Sequence, residues 1–87
     1  MTTRKLLKLE FADIITAIAN VKELDGAALA EIIETTPGIA QEILDGNPTE
    51  IPFDRLVIFT LRLGYDVKMH IYPSEKSPGK TDINFTI

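Results

Sequence analysis

The sequence predicts a mainly α fold, four helices followed by a C-terminal β-strand or hairpin, and three observations carry that reading. Apolar residues recur every three or four positions through most of residues 5 to 63, the helical period. Capping residues, a proline and glycines punctuate that stretch where helices should start and stop. Beyond Gly64 the apolar period drops to two, the spacing of a half-buried strand. With 87 residues, 45% of them apolar, the chain can bury one modest core, so a single domain is expected. Its parts are an N-terminal helix in 1–23, a helix-turn-helix in 24–46, a fourth helix in 53–64 and a β-hairpin in 65–87.

Taken in order, Arg4, Lys5 and Lys8 form the only basic cluster, a solvated helix face or a basic arm. Leu7, Phe11, Ile14, Ile15, Ile18 and Val21 then place one apolar stripe along a helix near 5–22. Asp25 is a helix cap with Leu24 before it as a staple onto Leu29, so a second helix starts at about Gly26 and runs to about Glu34. Leu29, Ala30, Ile32 and Ile33 supply its apolar pattern. A third start follows at once. Thr36 caps, Pro37 suits the first helical position because its missing N–H would be unpaired there, and Gly46 offers a left-handed stop after a helix near 37–45. Two short helices separated by a few residues make a helix-turn-helix, the unit that organises the chain.

The stretch NPTEIP resists helix, and the next helix covers about 53–63. Phe53, Leu56, Val57, Phe59, Leu61 and Leu63 make it apolar on most sides, more than a single core face needs, so cover from outside the chain's own helices is expected. Tyr65, Val67, Met69 and Ile71 alternate with polar residues in a strand near 65–72, with Tyr65 and Met69 read as core. After a polar turn at 73–80, Ile83, Phe85 and Ile87 mark a second strand near 82–87.

Composition excludes most chemistry. The chain has no cysteine, no apolar run of the roughly 18 residues that cross a bilayer and no signal-peptide pattern, so a cytoplasmic protein without a membrane partner is expected. The net charge of -4 and pI near 4.8 disfavour nonspecific attraction to nucleic acid. His70 is the only histidine, Ser74 and Ser77 lie in the polar turn with no base beside them, and the five glycines are isolated rather than a phosphate loop. No catalytic, metal or cofactor site is therefore expected, and the chain is read as a non-enzyme.

Residues 24 to 64 resemble the phage-repressor-like Cro/XRE helix-turn-helix family. Leu24, Ala27, Ala30, Ile32, Ile33, Thr36, Ile43, Leu44 and Gly46 fall at the family's places without a gap, and IPFDRLVIFTLRLG is similar to its later segment ending in Leu-Gly. A strand directly after that glycine is similar to the small antitoxin-like and regulator-like branch. The resemblance implies a DNA-binding transcriptional regulator whose recognition face holds Gly26, Thr36, Pro37, Gly38, Gln41 and Glu42, with Arg4, Lys5 and Lys8 as basic arm. The apolar excess of the fourth helix, the unpaired edge of a two-stranded hairpin and the likeness to that branch together lead to a homodimer. Its expected interface is Phe53, Val57, Phe59, Leu61, Val67, Met69, Ile71 and Phe85.

The departures from the family pattern fall on the recognition face. Gly26 and Pro37 stand where the family has glutamines that open the two motif helices, and only Gln41 matches an adenine-reading side chain. Glu34 replaces the turn glycine, where a left-handed residue costs about 1 kcal/mol or the turn is built differently. Residues 23 to 54 carry eight carboxylates and no Lys or Arg, a charge of -8, so this surface offers no cation to replace phosphate counterions. Two functional classes remain: an operator-binding dimer, or a homodimeric protein-interaction module that kept the fold, including mimicry of a nucleic-acid surface by its acidic face.

Overall fold

The computed structural model describes residues 3–69 together with 71, 73 and 75. Four helices follow one another, α1 (Thr3–Val21), α2 (Gly26–Ile33), α3 (Pro37–Leu44) and α4 (Phe53–Arg62), each within two residues of its expected bounds. The fold is mainly helical. Among the described residues there is no strand, and residues 65–69 carry no regular element. The second strand expected near 82–87, with Phe85, lies outside the described residues, as do His70, Tyr72, Ser74 and Ser77. No helix among the described residues is long and apolar enough to cross a membrane.

One core joins all four helices. Phe11, Ile14, Ile15 and Ile18 from α1 meet Leu29, Ala30 and Ile33 from α2, Ala40 and Ile43 from α3, and Leu56 and Phe59 from α4. α1 packs on α3 and α4, while α2 packs on α3 and α4, so α1 and α2 hold the third and fourth helices between them. Phe11 and Phe53 meet edge to face, with centroids 5.2 Å apart and planes at 88°, an arrangement the ring quadrupoles favour. Thr16 on α1 adds a polar tie by donating from Oγ1 to the carbonyl of Ile43 at 3.3 Å. Lys8 donates to the carbonyl of Thr49 at 3.1 Å and so fastens the start of α1 to the loop before α4.

Four apolar positions differ from the sequence expectation. Val21 sits in the last turn of α1, past the packed Ala19, and is exposed. Ile32 lies beside the arc that Leu29, Ala30 and Ile33 already fill, and is exposed too. Met69, expected in the core, is also exposed, whereas Tyr65 packs against the core as expected. Phe59 departs in the other direction. Assigned to an interface by sequence, it is only 1% exposed because the chain's own helices enclose it, so it has no surface to offer a second chain.

The helix ends explain why the chain turns where it does. Asp25 accepts the Ala28 N–H at 2.8 Å and Thr36 accepts the Ile39 N–H at 3.2 Å, so each motif helix opens with one orphan donor satisfied. After the four helices the backbone turns left-handed at Glu23, Glu34, Gly46 and Gly64. The N–H groups of Leu24, Thr35 and Asn47 then reach back to the carbonyls of Ala19, Ala30 and Glu42 at 2.8 to 2.9 Å. Two of those left-handed residues are glutamates, which carry a Cβ that glycine would not. Replacing either cap, Asp25→Ala or Thr36→Ala, should cost about 1 kcal/mol in urea unfolding, since each leaves an N–H of an eight-residue helix unpaired. A loss below a quarter of that in both would show that the caps are not what starts these helices.

Candidate functional site

The α2–turn–α3 unit is the surface on which the sequence placed its functional residues. Three residues, Glu34 to Thr36, separate the helices, and Glu34 adopts φ 58° and ψ 53°, so the left-handed turn is made without glycine. Arg62 supplies what the sequence reading lacked. From the end of α4 its Nη1 donates to the carbonyl of Ile33 at 2.9 Å, and its Nε lies 3.1 Å from Oε2 of Glu34. The guanidinium thus satisfies a terminal carbonyl of α2 and pairs with the residue that bears the backbone strain. Both side chains remain largely solvated, so the ion pair itself adds little, and the hydrogen bond to Ile33 is the stronger part.

On the outward face of α3, Thr36, Pro37, Gly38 and Gln41 are exposed and Glu42 is half-buried. Gln41 is already engaged. Its Nε2 donates to Oδ1 of Asp45 one turn later at 2.9 Å, and a Cβ placed on Gly26 would lie 2.9 Å from its Oε1. The structure therefore brings Gly26 and Gln41 together, with the glycine leaving room for the amide. It also places Asp45 as the partner of the one side chain suited to reading adenine, which leaves that side chain's donor facing a carboxylate. The spacing of Gln41 and Asp45, four residues on one helix, was the sequence signal for this contact.

Two basic side chains have partners within the fold. Arg4 and Lys5 fall in the first turn of α1, Lys8 holds Thr49, and Arg62 holds Ile33 and Glu34. Lys8 also lines a half-open cleft of mixed polarity with Glu50, Pro52, Phe53 and Asp54. Among the described residues no group of three or more His, Cys, Asp or Glu side chains could hold a metal ion.

The residues assigned to a dimer interface divide by exposure. Phe53, Val57 and Val67 are half-buried against the core, and Leu61, Met69 and Ile71 face outward. Ile58, absent from that assignment, is 39% exposed on α4 beside Leu61 at 49%. No family model matches the chain, and neither the curated proteins nor the solved structures yielded a match.

Asp45→Ala should free the Gln41 amide while changing stability by less than about 0.5 kcal/mol, because both side chains are exposed. Nitrogen relaxation of the Gln41 side-chain amide would report it: faster motion in the variant is expected, and unchanged motion would mean that Asp45 does not hold Gln41 in solution.

Proposed function

We propose that the chain is a small helix-turn-helix regulatory protein of the Cro/XRE-like kind, acting in the cytoplasm as a homodimer. The observation that carries this reading is the α2–α3 pair: two capped eight-residue helices, a three-residue turn and a left-handed residue where the family has glycine. The role is binding rather than catalysis. In the DNA-binding form α3 enters the major groove, with Gly26, Thr36, Pro37, Gly38, Gln41 and Glu42 toward the duplex and Arg4, Lys5 and Lys8 as its cations.

A second reading rests on the outward face of α3, which carries no cation and whose Gln41 donates to Asp45. There the same unit is a protein-contact module, and its acidic face meets a basic partner. The -8 charge of residues 23 to 54 favours this form over tight DNA binding, since each carboxylate near a phosphate repels it by about 1 kcal/mol even in water.

Fluorescence anisotropy with labelled duplex DNA at low and moderate salt separates the two. No sequence-independent binding in the micromolar range is expected at physiological salt. Affinity that falls steeply with salt, and loses most of that slope when Arg4, Lys5 and Lys8 become alanine together, would instead establish the DNA-binding form.

A further inference from the structure

The outer face of α4 reads as half of a twofold seam. Its exposed residues are Asp54, Arg55, Ile58, Leu61 and Arg62, and at 100° per residue they span about one third of the helix circumference, with Ile58 near the middle. Leu56, Phe59, Thr60 and Leu63 occupy the opposite side and are buried in the chain's own core. The outward face is therefore a small apolar pair, Ile58 and Leu61, framed by one carboxylate and two guanidinium groups.

The order of these residues is self-complementary about Ile58. Asp54 stands four residues before it and Arg62 four after, while Arg55 stands three before and Leu61 three after. A twofold axis through Ile58 that lays the 54/58/62 ridges of two α4 helices along one another in antiparallel sense, a crossing of about -50°, brings Asp54 opposite the partner's Arg62, about 6 Å along the helix from the axis. A parallel pairing would instead set Asp54 against Asp54 and Arg62 against Arg62. Arg62 spends Nε and Nη1 within its own chain, on Glu34 and Ile33, and Nη2 remains for a carboxylate across the seam.

We propose that a second copy of this chain docks on this face, α4 against α4 in antiparallel register about Ile58, with Asp54 of each copy meeting Arg62 of the other. The proposal rests on the homodimer in the functional reading and assigns it a seam. It places Ile58, rather than the enclosed Phe59, in the interface. A contact of one helix pair is small among specific interfaces, so the dimer is expected to dissociate in the micromolar range.

Sedimentation equilibrium on the full chain tests it together with a cysteine variant. The chain has no cysteine of its own, so Ile58→Cys provides a single thiol that meets its symmetry mate only if Ile58 lies on the axis. Expected are a wild-type dimer of twice 9.7 kDa at tens of micromolar, a disulfide-linked dimer of Ile58→Cys under mild oxidation, and no such product from Glu50→Cys. Asp54→Arg should weaken the dimer about tenfold with helical circular dichroism unchanged, because it sets two guanidinium groups level across the seam. A wild-type dimer in which Ile58→Cys fails to cross-link and Asp54→Arg is without effect would overturn the seam and leave the homodimer standing on another surface. A 9.7 kDa particle at 100 micromolar would overturn both.

Discussion

The geometry of this molecule depends on how the chain reverses at Glu34. An L-residue with a Cβ is held left-handed there, and what holds it is contact from both directions: the Thr35 N–H returns to Ala30, and Arg62 comes from α4 to the carbonyl of Ile33 and the Glu34 carboxylate. The cost of such a backbone is of the order of 1 kcal/mol, comparable to one good hydrogen bond to a charged group. The strain and its relief are therefore of similar size, and α4 becomes part of the turn. A glycine would make the turn without strain; at the glutamate the contacts from the fourth helix offset it.

Much of the architecture was legible because its signals are local. Asp25, Thr36, Pro37 and Gly46 each act within one turn of their own position, and the structure starts and ends its helices where those residues say. Exposure was harder to read, since it depends on which neighbours a face meets. Phe59 and Ile58 are adjacent and both apolar, and only the placement of α1 and α2 decides that one is enclosed while the other faces outward. The contact of Arg62 could not be read because its acceptor lies 29 residues away, beyond any pattern a helix period reveals. The pairing of Gln41 with Asp45 went unread although it needs no tertiary knowledge, since the two lie four residues apart.

The two ends of the functional argument are carried by different kinds of force. The α2–α3 pair is specified by backbone geometry, which many surfaces can share, and so it speaks for a fold. The face it presents is specified by charge, and here every ionic side chain between Lys22 and Arg55 is a carboxylate. Two cations of the described surface, Lys8 and Arg62, serve carbonyl oxygens of the protein itself at Thr49 and Ile33.

The packing of α1 has a consequence for how the chain assembles. Its ties run to Ile43 and Thr49, 27 and 41 residues away, and its largest apolar partners lie on α4, whereas α2 and α3 are neighbours in sequence as well as in space. Closing the longer loop costs more entropy, so the motif helices can meet early and α1 with α4 must meet late. During synthesis α1 is made well before α4, which supplies part of its cover. Until α3 and α4 have emerged, the apolar stripe of Phe11, Ile14, Ile15 and Ile18 lacks the helices that pack on it, and the nascent chain is most open to unwanted association in that interval.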